Sequence, residues 1–153
     1  MSIEDNLKAL GIDIPMPASP VANYVPFVRS GNLISVSGQI PVKDGKLLFE
    51  GKVGDTMTIE QACEAARLCG LNIIAQLKAA CGGDLNRVRR IIKLGGFVNC
   101  IDSFSGQPQI INNASDLMVE VFGDIGRHSR SAVGTNALPL NATVEIDALV
   151  EIE

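Results

Sequence analysis

The sequence predicts an α+β fold: two amphipathic helices packed on one face of a mixed or antiparallel sheet. Three observations predict it. Apolar residues recur at three- and four-residue spacing in two long segments. Several short apolar runs are bounded by Gly, Pro and Asp turn signals. The final run, Thr143 to Glu153, alternates strictly between apolar and mostly polar positions. The order strand-strand-helix-strand-helix-strand-strand leaves one sheet face uncovered, to be closed by other subunits. The 153 residues make one domain, 1–153. With 46% hydrophobic residues but only 4% aromatics and no Trp, its core must be built from Ala, Val, Ile and Leu.

A short helix is predicted around Ile3 to Leu10. Ile14 to Pro20 is Pro-rich and should be an extended arm laid over the domain, because each Pro disfavours helix in the residue before it. Asn23 to Ser30 and Leu33 to Ser37 read as strands joined at Ser30-Gly31-Asn32, and Lys43-Asp44-Gly45 marks a second turn. Thr58-Ile59-Glu60-Gln61 has the form of a capping box, opening a helix of about 23 residues that ends at Gly82-Gly83. Ile91 to Asn99 is a strand in which Gly95-Gly96 suggests a bend or bulge. Gln109 to Gly123 is the second amphipathic helix, and Ser131 to Thr135 a short strand. In the last strand Val144, Ile146, Ala148, Val150 and Ile152 form the apolar face.

Composition removes several function classes. No apolar run approaches the roughly 20 residues of a membrane span. Met1 to Leu10 carries acids and lacks a basic start followed by an apolar stretch, so a cytoplasmic location is the expectation. Cys63, Cys69, Cys81 and Cys100 form no C-x-x-C pair and only one His is present, which argues against a metal site and for small buried thiols. The net charge is −4, and Arg87, Arg89 and Arg90 are the only basic cluster, so a nucleic-acid surface is disfavoured.

The residues suited to chemistry are few. The lone His128 reads as an exposed loop histidine. Ser37-Gly38-Gln39-Ile40-Pro41 places a hydroxyl and backbone N–H groups at a strand end, where they can donate to an anion or simply make a turn. Arg130, in Ser129-Arg130-Ser131, offers a bidentate fork for a carboxylate. Glu145 lies on the polar face of the last strand and could orient or deprotonate a water. If a turn at Leu138 to Asn141 makes a hairpin of the two strands, Arg130 and Glu145 could approach, as a site or as a structural ion pair.

From about residue 22 to the C-terminus the chain resembles the RidA family, also called the YjgF/YER057c/UK114 family, whose members are often labelled endoribonuclease L-PSP. The resemblance rests on Gly31-Asn32-Leu33, Ser37-Gly38-Gln39-Ile40-Pro41, Asn113, Ser129-Arg130-Ser131, Leu138-Pro139 and Val144-Glu145-Ile146. It implies a chorismate-mutase-like fold and a homotrimer with a central β-barrel and clefts at subunit interfaces. Residues 1–21 then form an N-terminal extension, as in a longer branch of the family. The resemblance further implies hydrolysis of reactive enamines and imines such as 2-aminoacrylate to 2-oxo acids and ammonia, without a metal or organic cofactor. Arg130 matches the arginine that holds the substrate carboxylate and Glu145 the acid that positions the attacking water. Tyr24, Ser37, Gly38 and Asn113 match pocket positions. The chain departs from the pattern at Ala132, where a cysteine is frequent, and at His128, Ser129 and Asn136. Two other functions fit the same residues: a non-catalytic binder of small carboxylates such as 2-oxo acids, and the endoribonuclease or translation inhibitor of the older label.

Overall fold

The computed structural model describes residues 1–19 and 23–153; the last residue of the expected arm and the boundary at 21 lie outside the described residues. Among the described residues there are three α-helices: α1 (Ile3–Leu10), α2 (Ile59–Ala80) and α3 (Gln107–Phe122). The strands are β1 (Phe27–Ser30), β2 (Leu33–Gln39), β3 (Val42–Lys43), β4 (Lys46–Leu47), β5 (Val88–Asn99), β6 (Ser129–Thr135) and β7 (Val144–Ile152). Five of them form one mixed sheet in the order β1-β2-β7-β5-β6, with β5 and β6 parallel and the other pairs antiparallel.

Local chemistry sets the helix ends. The Thr58 hydroxyl accepts from the Gln61 N–H at 3.1 Å, and the Gln61 side chain accepts from the Thr58 N–H at 2.9 Å, so the capping box is complete. Beyond Ala80, the N–H groups of Gly82 and Gly83 close on the carbonyls of Ala79 and Lys78. The helix α3 starts two residues earlier than its apolar pattern suggests, because Pro108 is tolerated in the first turn, where its missing N–H has no helical partner to lose. The helix α1, expected at Ile3 to Leu10, joins the two longer helices. Asn6 Nδ2 donates to the carbonyls of Glu120 and Val121 at 2.8 Å each, which docks α1 on the end of α3.

The helices cover one sheet face. Ile34, Ile91, Leu94, Ile146 and Val150 from the sheet are fully buried in one cluster with Ile73, Leu77, Ile111 and Met118 from the helices. Full burial of each such side chain contributes about 1.5–3 kcal/mol. The opposite face is open. It exposes Val28, Leu33, Phe97 and Val133 at 36–54%, together with Asp147 and the half-buried Glu145 and Leu149 of β7.

Several details differ from the sequence expectations, each with a physical cause. The strand β1 begins only after Pro26, which has no N–H for a ladder. The strand β5 begins at Val88, three residues early. Two register shifts against β7 place Val88, Ile91 and Leu94 on the helix side at intervals of three, which hides the two-residue period. Gly95-Gly96 is not a bulge: both residues keep regular register. A Cβ on Gly95 would strike the Asp147 carboxylate, and one on Gly96 would come within 2.7 Å of Ile111, so these glycines admit close neighbours. At the Asp44-Gly45 turn both residues have positive φ, 52° and 76°, as a tight two-residue hairpin requires. Most consequential, β6 and β7 do not form a hairpin. They flank β5, with Leu94 opposite Arg130 and Phe97 opposite Glu145.

Among the described residues, no helix is long and apolar enough to cross a membrane, and no three His, Cys, Asp or Glu side chains come together as metal ligands. Cys69, Cys81 and Cys100 are buried and Cys63 is partly buried, all as free thiols.

The segment after β2 is held by one buried side chain. Asn72 of α2 donates from Nδ2 to the carbonyls of Ile40 at 3.0 Å and Val42 at 2.9 Å. Replacing Asn72 by Ala should lower the unfolding free energy by roughly 2 kcal/mol, since two hydrogen bonds are lost and the Ile40 carbonyl keeps only the Val42 N–H. Urea unfolding of wild type and variant measures the difference.

Candidate functional site

The strand β2 carries one extra residue relative to β7 between Val36 and Gln39, where Ser37 and Gly38 lie. Such bulges bend a strand and re-aim its side chains. Here the bulge is fastened on both sides. The Ser37 hydroxyl donates to the Val25 carbonyl at 2.7 Å, and its N–H to the Pro26 carbonyl at 2.9 Å. Gln39 Nε2 donates back to the Ser37 carbonyl at 2.9 Å. Ser37 thereby ties the segment that follows Tyr24 to the sheet, and its hydroxyl proton is already committed within the chain.

Gly38 faces Glu145. A Cβ built on Gly38 would sit 2.5 Å from Glu145 Oε1 and 2.9 Å from its Cδ. Gly38 also lines a cleft of about 430 Å³ shared with Tyr24, Pro26, Gln39, Ile40 and Leu140. Met16 to Ser19 of the N-terminal arm forms part of its wall, and the Ala18 carbonyl is held by Gln76 Nε2 at 2.9 Å. Gly38 thus shares the cleft with Tyr24 and faces the Glu145 carboxylate, with Ser37 anchoring the bulge.

Burial raises the Glu145 carboxyl above the ordinary glutamate value, and the like charge of Asp147 two residues on adds to this. Asp147 is raised as well, first by burial, with partial relief from the Gly95 N–H and from Lys93. A carboxyl whose pKa is raised in the folded state favours folding below its unfolded value and loses that contribution as pH rises through the folded one.

Arg130 is elsewhere. Its opposite residue Leu94 is fully buried on the helix side, and its guanidinium reaches α3: Nη1 donates to Ser115 Oγ at 3.1 Å and Nη2 to the Pro108 carbonyl at 3.4 Å. Glu145 lies on the open side. Two strand spacings and three residues of β5 put the Cα atoms of Arg130 and Glu145 roughly 14 Å apart within one chain. The expected approach through a β6–β7 hairpin therefore does not occur.

Asn113 joins neither group. It is the seventh residue of α3 and not near its start. Its Nδ2 donates to the carbonyls of Gln109 and Ile110 at 3.2 and 3.0 Å, and its side chain meets the Cys63 thiol on α2, whose pKa is raised by burial. His128 is not a free loop histidine. It is half-buried and bonded through both ring nitrogens, to the Gly126 carbonyl at 2.6 Å and to Ser115 Oγ at 2.9 Å. Ser115 was invisible in the sequence because one serine on an amphipathic helix carries no pattern. Its i, i+7 spacing from Pro108 on one helix face is the signal that could have found it.

Two outcomes test this geometry. Gly38→Ala must displace the Glu145 carboxylate, so the variant should fold with thermal stability close to wild type yet lose any function that needs Glu145 in place; paired melting and activity assays check both. Asp147→Asn should move the Glu145 titration midpoint downward, because one of its two raising causes is gone; carboxyl-carbon NMR titration reads the direction.

A family model described as "YjgF/chorismate_mutase-like, putative endoribonuclease" matches residues 4–152. Protein TCP17 of Trypanosoma cruzi is 47% identical over 148 residues, covering 96% of this chain and 92% of that protein. A protein from Dermatophagoides farinae named 2-iminobutanoate/2-iminopropanoate deaminase is 28% identical over 142 residues, covering 93% of this chain and 95% of that protein. Among solved structures, a protein of unknown function from Agrobacterium tumefaciens superposes with a TM-score of 0.92 at 52% identity, covering 99% of this chain and 92% of that one. The three-helix layer on a mixed sheet is the fold these proteins share, and the chain belongs to the YjgF/chorismate-mutase-like family.

Proposed function

We propose that the protein is an enamine/imine deaminase, hydrolysing 2-aminoacrylate-type intermediates to 2-oxo acids and ammonia. The observation that carries this reading is the Glu145 carboxyl, half-buried against Gly38 beside the Tyr24 cleft, with its pKa raised by burial. The Dermatophagoides deaminase, similar along most of its length, supports the same chemistry.

In this reading Arg130 holds the substrate carboxylate by charge-assisted hydrogen bonds. A 2-aminoacrylate first takes a proton from solvent at its methylene carbon and becomes the protonated imine, whose carbon is already electrophilic. Glu145 orients a water and takes one of its protons as the oxygen bonds to that carbon. The same carboxyl returns the proton to the amine nitrogen. The C–N bond then breaks as the carbinol oxygen gives its proton back to the Glu145 carboxylate, so that ammonia leaves, the carbonyl of the 2-oxo acid forms and the proton passes on to the ammonia or to solvent. Holding, aligning and excluding bulk water supply most of the rate, so no cofactor is needed.

One chain alone cannot bring Arg130 to Glu145. We therefore infer that the cleft is completed at an interface, in a homotrimer whose open sheet faces form a central β-barrel. The exposed apolar side chains of that face and the unpaired outer edge of β6 favour such closure. RNA cleavage is the weaker reading. Within the basic cluster Arg87 is bonded to the carbonyls of Cys81 and Glu153, and Arg89 is paired with the Glu153 carboxylate.

Semicarbazide trapping of enzymatically generated 2-iminopropanoate tests the activity. Wild type should speed loss of the imine, and Arg130→Ala and Glu145→Gln should each lower kcat/KM at least about tenfold, the scale of one lost charge-assisted bond. Binding of 2-oxo acids with imine decay no faster than buffer would make the protein a binder instead. Co-expressing the two variants tests the shared cleft: about a quarter of interfaces in randomly mixed trimers would carry both intact residues, and activity should partly return.

A further inference from the structure

We propose that Ser115 and His128 are positioning residues that hold the Arg130 guanidinium in the orientation that receives a carboxylate. This rests on the reading of Arg130 as the carboxylate-binding group. The structure joins the three residues in one hydrogen-bonded line: Gly126 carbonyl, His128, Ser115, Arg130.

The line has a fixed end. A Cβ on Gly126 would collide with the Met118 carbonyl and lie 3.1 Å from Val119 Cα, so Gly126 is pressed directly on the α3 backbone. Its carbonyl can only accept, and at 2.6 Å from Nδ1 it requires that nitrogen to carry a proton. In the neutral ring Nε2 is then bare and accepts the Ser115 O–H at 2.9 Å. That choice aims the serine lone pairs at the Arg130 Nη1–H, 3.1 Å away. The Pro108 carbonyl, an α3 acceptor with no rotamer freedom, takes an Nη2–H at 3.4 Å.

A guanidinium has five N–H donors. The two anchoring bonds use one on each terminal nitrogen, which leaves three donors for a planar, two-point contact with a carboxylate. An arginine on an edge strand would otherwise lose rotamer freedom when its ligand binds. With Ser115 and His128 in place, that ordering is done before the ligand arrives. The site is thus built from β6 together with α3, and not from the Ser129-Arg130-Ser131 strand alone.

Four variants and two readouts test the proposal. Ser115→Ala and His128→Leu cut the line; Ser115→Thr keeps the oxygen, and His128→Gln keeps a polar group at the Nε2 position. In the imine assay the cutting variants should raise KM about tenfold with kcat within about twofold of wild type, the pattern of lost uniform binding, and the conservative pair should recover most of it. Independently of turnover, nitrogen-15 NMR of the arginine side chains should show restricted Arg130 Nη rotation in wild type and the conservative pair, and free rotation in the cutting variants. Unchanged KM and unchanged Arg130 rotation in folded Ser115→Ala and His128→Leu would overturn the proposal. If wild type hydrolyses no imine, the deaminase reading fails, and the NMR result alone then sustains or overturns the positioning role.

Discussion

The parallel pairing of β5 with β6 is the constraint on which the rest of the molecule depends. Parallel neighbours need a crossover, and α3 is that crossover, lying on the same side as α2. Once β6 occupies the edge beside β5, β7 must fill the remaining place between β2 and β5. Arg130 then takes the parity of buried Leu94 and points toward the helices, while Glu145 takes the parity of Phe97 and points away. A hairpin of β6 and β7 would have put both residues on neighbouring strands. The pairing separates them by a strand and by the thickness of the sheet.

That separation gives the two residues different surroundings. Arg130 rests on the fixed acceptors of a helix, where a guanidinium gains orientation without burial among apolar groups. Glu145 rests on a sheet surface that glycine makes accessible: Gly38 leaves space for its carboxylate, and Gly95 does the same for Asp147. Partial burial of two like charges on alternate positions of one strand raises both carboxyls. Structural carboxylates are usually held ionised by donors, whereas Glu145 has no lowering cause among those that move its pKa. This is the physical ground for reading it as a group that exchanges a proton.

Much of this was legible in the sequence where local rules decide. The capping box at Thr58, the Asp44-Gly45 turn and the alternation of β7 each act over a few residues, and each appears as predicted. Gly38, singled out with Tyr24 and Glu145, lies against the Glu145 carboxylate and shares a cleft with Tyr24. Illegible were features set by long-range pairing. The bulged start of β5 breaks its period, and the β6 partner is chosen by topology, not by composition. His128 was misread for a related reason: a histidine between two cationic residues looks solvent-exposed in sequence, and only the return of β6 beneath α3 brings it to Ser115. Asn113 shows the converse, a residue at a family position whose side chain bonds its own helix.

The scarcity of functional groups becomes intelligible in this geometry. A chain with one His and one Tyr has few side chains that titrate near neutrality. Imine hydrolysis asks for less, since the substrate brings its own electrophile and its own carboxylate handle. The remaining demands are a cation for that handle and an acid to manage the proton. The sheet places Arg130 and the raised carboxyl of Glu145 on opposite faces, where neither can neutralise the other. Had Arg130 lain beside Glu145 in the free chain, the pair would have closed as a salt bridge, lowered the carboxyl pKa and occupied the fork meant for the substrate. Their separation within one chain leaves both groups free, and on the proposed reading it ties the chemistry to assembly.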